Sequence, residues 1–475
     1  MGIALALGLF ALLALGLALA GRSALEQWAR RSVRKVRREF RSRVDRFKRA
    51  GKADVREALL ADPEVAEAVR THVAATGESP EKAGARVRAY LDEIIPSFSL
   101  LSYYKLGYGL SRLLIPLFYK VSVGYEAREA LNAIPRASVV VYLMNHRSNA
   151  DYVVVAFVLS GEVAISYAVG EWARVWPLEA VFKSFGSYFV RRRYREALYH
   201  KVLERYVQLI TRNGVTQGVF LEGGLTRDGR FREPKLGLLD HLVRVKAEPG
   251  FDRPLTIVPV AINYDRVLED RSLLREMQDE GERLPRREQI AEVVSYVLKV
   301  SVRFLLRRAR RYGRACVNFG APLSVDAWLA ARPGVLALPR EERLPRIKEL
   351  ADEVMARIAA IMPVTAVSLA AAALLRVEGD RLSRPRWEAL MDGLRAVLRG
   401  RGARLIGDDR SSAEILDRAL VMLTLRRVVA VEGDGFRVDR GQERLLRYYA
   451  NSIEHFFGDS LPPASGVALP APSRR

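Results

Sequence analysis

Six short runs of apolar, β-prone residues, separated by longer helical segments, constrain the fold of this chain more than any other feature. They are apolar on both faces, which is typical of strands in a buried sheet covered by helices. Strands that alternate with helices predict an α/β domain with a mixed, partly parallel sheet flanked by helices. We expect this domain over 111–330. The runs are 138–144, 163–169, 186–190, 218–221, 256–262 and 316–319.

Helical patterns flank the α/β segment on both sides. Apolar residues recur at helical spacing over 51–110, which predicts a helical N-terminal region, and the stretch 100–123 has a similar pattern. A mainly helical C-terminal domain is expected over 331–457. The tail 458–475 is rich in Pro, Ser and Ala, a composition typical of disorder.

The first 20 residues carry no charged side chain. As a helix they would be about 30 Å long, which matches the hydrocarbon core of a bilayer. We therefore expect a transmembrane anchor over 1–21. No basic residue precedes this segment, unlike in a typical signal peptide, although the small residues Ala18 and Ala20 leave cleavage open as an alternative.

The next segment, 22–50, contains twelve basic and three acidic residues. Val33, Val36 and Phe40 begin an apolar stripe at helical spacing, which predicts an amphipathic helix on an anionic lipid surface. By the positive-inside rule, the main body of the chain then lies on the cytoplasmic side of the cell membrane. The alternative is that the stripe packs on the protein and the arginines are solvated.

The composition narrows the choice of partners. A net charge of +22 over 475 residues points to an anionic partner. Cys316 is the one cysteine, which excludes an intrachain disulfide, a cysteine-based zinc site and an iron–sulfur cluster. No zinc-finger or RNA-recognition signature accompanies the charge, so no nucleic-acid partner is expected.

Polar clusters follow the apolar runs, at the position where open α/β sheets bind their ligands. The first cluster is N-H-R-S-N-A-D at 145–151. His146 leaves the predicted strand and Asp151 follows five residues later. The carboxylate can hold one imidazole nitrogen and leave the other to take a proton. For this spacing alone, a chance pair in a loop is the alternative.

Two further clusters suit an anionic ligand. Residues 186–193 (G-S-Y-F-V-R-R-R) place adjacent arginines at a strand end, where guanidinium groups can bind phosphate oxygens in pairs. A solvated basic strand end is the alternative. Residues 220–230 (F-L-E-G-G-L-T-R-D-G-R) contain two glycines that allow the backbone to approach a ligand closely. Arg227 and Lys235 add positive charge there, and Glu222 either orders the loop or holds a substrate hydroxyl.

Together with the run I-V-P-V-A-I at 257–262, these clusters resemble in order the four motifs of the glycerolipid acyltransferases. The closest similarity is to the bacterial membrane-bound glycerol-3-phosphate 1-O-acyltransferases and the dihydroxyacetone-phosphate acyltransferases. N-H-R-S-N-A-D resembles their His-x4-Asp block, and G-S-Y-F-V-R-R resembles their Gly-x5-Arg block. F-L-E-G-G-L-T-R-D-G-R resembles their E-G-G-x-S/T-R-x-G-R block. The similarity extends over most of 55–457.

The resemblance implies the glycerolipid acyltransferase fold. It also implies transfer of a fatty acyl group from a thioester to the sn-1 hydroxyl of glycerol 3-phosphate, which gives lysophosphatidic acid. His146 would be the general base and Asp151 its orienting partner. The acyl donor would be acyl-CoA or acyl carrier protein, and no metal or other cofactor is expected. The substrate-binding residues that it implies are Arg192, Glu222, Gly223, Thr226, Arg227 and Lys235.

Two residues of the third motif depart from the family pattern. Many members carry arginine where this chain has Leu225, and serine where it has Thr226. Because one cation is missing from the phosphate cradle, dihydroxyacetone phosphate or another lipid stays open as the acceptor. A remote alternative is an inactive, membrane-tethered basic scaffold.

Overall fold

A computed structural model describes residues 52–96, 115–116, 118–159, 165–170, 179, 182–183, 186–191, 194, 196–270, 273–274 and 313–458. The expected anchor over 1–21, the basic helix over 22–50 and the tail from 459 onward lie outside these residues and stay predictions. Within the part of the chain that is described, no helix is both long and apolar enough to cross a membrane.

An eight-stranded, mainly parallel sheet forms the centre of the described structure. Its strands are β1 (Lys120–Tyr125), β2 (Val139–Met144), β3 (Ser166–Gly170), β4 (Tyr188–Val190), β5 (Gln217–Phe220), β6 (Leu255–Tyr264), β7 (Arg314–Phe319) and β8 (Leu323–Ser324). The order across the sheet is β1-β7-β6-β2-β5-β3-β4, and β8 pairs with β6. Strands β6, β2, β5, β3 and β4 are parallel to their neighbours in that series, whereas β7 and β8 are antiparallel to β6.

The register of three neighbouring strands brings their carboxyl ends to one edge of the sheet. Met144, the last residue of β2, lies opposite Phe220 of β5 and Val260 of β6. The segments that follow β2 and β5 therefore begin side by side. Strand β6 continues beyond Val260 as far as Tyr264, so its last residues lie beside the segment that follows β2.

Helices cover this sheet, and those at the N-terminus pack on one of the covering helices. The helices of this part are α1 (Lys52–Leu60), α2 (Pro63–Thr76), α3 (Pro80–Ile94), α4 (Arg128–Asn132), α5 (Asp151–Leu159), α6 (Ala197–Arg212), α7 (Leu236–Arg244), α8 (Val325–Ala330) and α9 (Arg340–Ala360). Helices α2 and α3 contact α6. Asp62 begins α2 by accepting backbone N–H groups of its first turn, and it also pairs with Arg205 of α6 (2.8 Å). The N-terminal helices are thereby joined to the α/β layer.

The C-terminal part is built around one buried helix. Its elements are β9 (Pro363–Val364), α10 (Ala366–Leu374), β10 (Arg381–Ser383), α11 (Arg384–Gly400), β11 (Arg404–Leu405), α12 (Ser412–Leu425), β12 (Val429–Glu432), β13 (Gly435–Val438) and α13 (Glu443–Ala450). Every residue of α10 is buried, and the helix contacts α11, α12 and α13. Strands β10, β13 and β12 form a small antiparallel sheet. A 3₁₀ segment, Asn451–Phe456, follows α13.

The expected fold class is confirmed, and each of the six predicted runs overlaps a strand in the residues described. The helix that the pattern predicts over 100–123 is wrong at its C-terminal end, because Lys120–Tyr125 forms β1. This strand lies at the edge of the sheet, and Gly124 is its one buried residue. It therefore lacks the two-sided apolar pattern by which the other strands are recognised. The domain boundaries stay predictions.

Candidate active site

Asn145, the first residue after β2, is hydrogen-bonded through its side chain to β6. Asn145 Nδ2 donates to the carbonyl oxygen of Ile262 (3.0 Å), and the Ile262 N–H donates to Asn145 Oδ1 (2.7 Å). Because β6 extends past the end of β2, its backbone needs other partners at this point, and the buried amide supplies them. The start of the loop is thereby fixed relative to β6.

Asp151 holds the imidazole of His146. The distance from His146 Nδ1 to Asp151 Oδ2 is 2.9 Å, and both side chains are buried. The same oxygen accepts the backbone N–H groups of Arg147 (2.8 Å) and Ser148 (3.1 Å). A carboxylate can only accept hydrogen bonds, so Nδ1 carries the proton. Proton exchange between His146 and a substrate therefore has to use Nε2.

Tyr264 completes the shell around this carboxylate. Its hydroxyl donates to Asp151 Oδ1 (2.5 Å) from the last position of β6. Burial, with the nearby carboxylate, raises the pKa of Tyr264 well above its usual value, so the phenol keeps its proton. The imidazole of His146 is in turn stacked on Phe220, with ring centroids 4.1 Å apart, and meets the Tyr152 ring edge-on at 5.5 Å. These contacts fix the orientation of the ring.

Glu222 ties the third motif to the first. Its Oε1 accepts the backbone N–H of His146 and its Oε2 accepts that of Arg232, each at 2.9 Å. Burial raises the pKa of Glu222 to about 7, although both hydrogen bonds act in the opposite direction. Of the two roles open from the sequence, the geometry favours ordering of the loop. A contact with a substrate hydroxyl stays a prediction.

Thr226 is buried within the turn of the third motif. Its N–H donates to the His146 carbonyl oxygen (3.0 Å), and its hydroxyl donates to the Arg230 carbonyl oxygen (2.7 Å). The same hydroxyl accepts the Gly229 N–H (3.1 Å). These bonds hold the turn together and place it against His146. Substrate binding by Thr226 stays a prediction.

The predicted cations and Gly223 lie around the same loop. The side chains of Arg227 and Lys235 are exposed. Gly223 adopts a left-handed conformation (φ +66°), and a Cβ there would lie 2.7 Å from Lys235 Cγ, so the position suits glycine alone. Arg192 lies outside the described residues. The structure thus joins His146, Asp151, Glu222 and Thr226 by hydrogen bonds into one bonded cluster. Gly223 and Lys235 pack beside this cluster.

The neighbouring Arg191 is committed to the protein interior. Its guanidinium pairs with Glu93 of α3, with Nε 2.8 Å from Oε1. It also lies between 4.8 and 5.7 Å from the ring centroids of Tyr90, Tyr194 and Tyr199. This arginine therefore joins the strand end to the N-terminal helices and is already neutralised, which makes it a poor phosphate ligand.

No motif in the sequence identifies Tyr264 or Glu269, although both contact the segment that follows β2. Glu269 accepts the Ser148 hydroxyl (2.7 Å) and the Asn149 N–H (3.1 Å), and burial raises its pKa to about 7. The one indication of such residues is that the buried polar groups around His146 need hydrogen-bond partners. The partners come from a segment more than a hundred residues away, so spacing does not reveal them. Among the residues described, no group of three His, Cys, Asp or Glu side chains is arranged to hold a metal ion.

Two family models match this chain. One, described as acyltransferase, matches residues 128–263, which include β2, β5, all of β6 except Tyr264, and the hydrogen-bonded cluster. The other, described as glycerol-3-phosphate acyltransferase C-terminal region, matches residues 287–460. The first match covers the loop with His146 and Asp151, and the second covers α13.

Curated relatives agree with these matches. The glycerol-3-phosphate acyltransferase of Aeromonas hydrophila is 30% identical over an alignment of 412 residues, with 84% of this chain and 49% of the relative covered. Those of Pseudoalteromonas atlantica and Pasteurella multocida are 28% and 27% identical over 421 and 419 residues, with the same coverage of 84% and 49%. The chain therefore spans about half the length of the curated relatives that it matches.

One solved structure is also similar. The 1-acyl-sn-glycerophosphate acyltransferase PlsC of Thermotoga maritima is 18% identical, with 59% of this chain and 84% of that chain covered. The TM-score is 0.30, which is too low to carry an argument about shared geometry.

The raised pKa of Glu222 predicts a pH-dependent stability. Because the folded state binds this proton more tightly than the unfolded state, the free energy of unfolding should fall as pH rises from about 4.5 to about 7. Glu222→Gln cannot ionise and should remove this component, which is on the order of 3 kcal/mol across the window. Urea unfolding at a series of pH values measures it.

Glu233→Gln is the matched control, because Glu233 is an exposed carboxyl group on the same segment. It should keep the pH dependence of the wild-type protein. Equal slopes for the wild type and Glu222→Gln would contradict the prediction.

Proposed function

We propose that this chain is a glycerol-3-phosphate acyltransferase, which transfers a fatty acyl group from an acyl thioester to the sn-1 hydroxyl of glycerol 3-phosphate; the two matching family models and the curated relatives support this proposal. The product is lysophosphatidic acid. The observation that carries the proposal is the contact of 2.9 Å between His146 Nδ1 and Asp151 Oδ2 in the loop that follows β2. This contact lies within the residues that match the acyltransferase model.

In the proposed reaction, His146 Nε2 takes the proton of the acceptor hydroxyl as its oxygen attacks the thioester carbonyl carbon. The imidazolium that forms is stabilised by Asp151, to which Nδ1 stays bonded. The tetrahedral intermediate then expels the thiolate, which takes the proton from Nε2, so His146 returns to its starting state. No acyl-enzyme is required. Burial raises the pKa of the Cys316 thiol well above its usual value, and this residue lies within β7.

The phosphate of the acceptor needs cations near this loop. We assign that role to Arg192 and Arg227, with Lys235 as a weaker candidate, and exclude Arg191 because Glu93 already neutralises it. The exposed position of Arg227 and Lys235 beside the bonded cluster supports the assignment. Leu225, in place of the usual arginine, is the feature that keeps dihydroxyacetone phosphate as a second candidate acceptor.

The chemistry of the product also favours a site beside lipid, and the basic residues that follow segment 1–20 favour the cytoplasmic side of the cell membrane. Lysophosphatidic acid has one acyl chain and a phosphate, so it partitions into a bilayer more easily than into water. The uncharged segment 1–20 and the twelve basic residues of 22–50 supply an anchor and an attraction to anionic lipid. Acyl-CoA and acyl carrier protein both remain candidate donors.

An acceptor-by-donor assay of the full-length protein tests the proposed activity. We expect the wild-type protein to acylate glycerol 3-phosphate with either acyl-CoA or acyl carrier protein as the acyl donor. His146→Ala should lower kcat by about 10²–10⁴-fold, because the general base is lost. His200→Ala, which changes an exposed histidine on α6, should keep wild-type turnover.

Wild-type turnover by His146→Ala would remove this residue from the reaction. Higher kcat/KM with dihydroxyacetone phosphate would reassign the acceptor. No transfer from any donor, combined with salt-sensitive binding of oligonucleotides, would support the inactive scaffold instead.

The assigned phosphate ligands predict a selective effect on the acceptor. Arg192→Ala and Arg227→Ala should each raise the KM for glycerol 3-phosphate by about tenfold or more, because each removes charge-assisted hydrogen bonds to the phosphate. The KM for the acyl donor should stay close to the wild-type value. Arg212→Ala, an exposed position on α6, is the control. An effect confined to the acyl donor would contradict the assignment.

A further inference from the structure

Arg147, between His146 and Ser148, is a buried cation. It is 2% exposed, and no carboxylate lies within ion-pair distance of it among the residues described. Its Nη1 donates to the carbonyl oxygen of Gly229 (2.7 Å), whereas Nε and Nη2 have no hydrogen-bond partner in the described structure. The guanidinium carbon lies 5.0 Å from the ring centroid of Tyr448 on α13. The ring face and one carbonyl are therefore the direct contacts that compensate this charge.

The turn that contains Gly229 also meets α13 through the backbone. Gly229 has φ +88°, and a Cβ at this position would collide with the carbonyl oxygen of Tyr448. Asn451 Nδ2 donates to the Asp228 carbonyl oxygen (2.8 Å) just beyond the helix. The C-terminal segment 448–452 is therefore packed directly against the turn whose Thr226 N–H is bonded to His146.

The same segment holds the chain that follows β6. Tyr449 donates to Asp270 Oδ2 (2.6 Å) and accepts the Val267 N–H (3.2 Å). Ser452 accepts from Asn263 Nδ2 (3.1 Å). These contacts flank the two residues, Tyr264 and Glu269, that bond to the loop carrying His146. One C-terminal segment thus contacts both supports of that loop.

We propose that Tyr448 is a positioning residue for acyl transfer, which acts by fixing Arg147 and with it the loop that holds His146 and Asp151. The backbone N–H of Arg147 is itself one of the donors to Asp151 (2.8 Å). A shift of Arg147 therefore moves the carboxylate that orients the imidazole. The inference rests on the proposed function for its kinetic consequence and on geometry alone for its structural consequence.

Three variants test this role in the full-length protein. Tyr448→Leu removes the ring and should lower kcat by about tenfold or more, with both KM values close to wild type, because small displacements of reacting groups cost rate rather than binding. Tyr448→Phe keeps the ring and should stay within about threefold of wild type, since the hydroxyl makes just a long contact of 3.4 Å to the Arg147 carbonyl oxygen. Glu454→Gln breaks the exposed pair with Arg230 at the same interface and should have no effect on kcat.

Hydrogen exchange gives a readout that does not depend on activity. Tyr448→Leu should speed exchange in peptides that cover 145–151 and 224–232, whereas Tyr448→Phe and Glu454→Gln should not. If Tyr448→Leu does not fold, Arg147→Lys changes the contact from the other side, because it keeps the charge without the planar group, and the same loss of kcat and faster exchange are expected.

Wild-type kcat and wild-type exchange in Tyr448→Leu would overturn the proposal. Equal losses in Tyr448→Leu and Tyr448→Phe would also overturn it, because the ring face would then not be the important contact. If the wild-type protein transfers no acyl group, the proposed function fails, and the exchange comparison alone still decides whether Tyr448 positions the loop.

Discussion

The buried carboxylate of Asp151 is the constraint on which the rest of the site depends. Its oxygens accept hydrogen bonds from His146 Nδ1 and the N–H groups of Arg147 and Ser148. Tyr264 adds a fourth from the end of β6. No Lys or Arg side chain lies within ion-pair distance of this carboxylate in the described structure. A buried carboxylate without partners would cost several kcal/mol, so these four donors compensate the burial of Asp151 beside the imidazole.

This arrangement needs three distant parts of the chain to meet. The register of β2, β5 and β6 brings the His146 loop, Glu222 and Tyr264 to one edge of the sheet. The C-terminal helix α13 then packs on the turn at Gly229, where a side chain would have no room. The two matched family regions are therefore joined at the candidate active site, and the C-terminal region is a physical part of it. The rigidity of the loop comes from contacts at both of its supports.

The features that the sequence predicts well are local ones. Buried strands have a two-sided apolar pattern, and Asp151, at the start of α5, follows only five positions after His146, which comes after β2, so both belong to one local segment. Tyr264 and Tyr448 contribute through contacts that span more than a hundred residues, which no local pattern records. Arg191 belongs to a basic run that suits phosphate, yet Glu93 of the N-terminal helices takes its charge. The edge strand β1 is missed because it is half-exposed. Residues that act within one local segment can be predicted from the sequence. Which of several similar arginines or tyrosines contacts the site depends on the tertiary fold.

A double-mutant cycle on His146 and Asp151 measures whether the two side chains act as one unit in acyl transfer. If Asp151 acts through the imidazole, Asp151→Asn should lower kcat for acyl transfer by about 10²-fold or more, and the double variant with His146→Ala should be no slower than His146→Ala alone. Such a result would mean that the two side chains contribute to kcat together and not separately. Losses that multiply in the double variant would mean that the two residues act independently, and the account of an imidazole held for proton transfer by a buried carboxylate would be wrong.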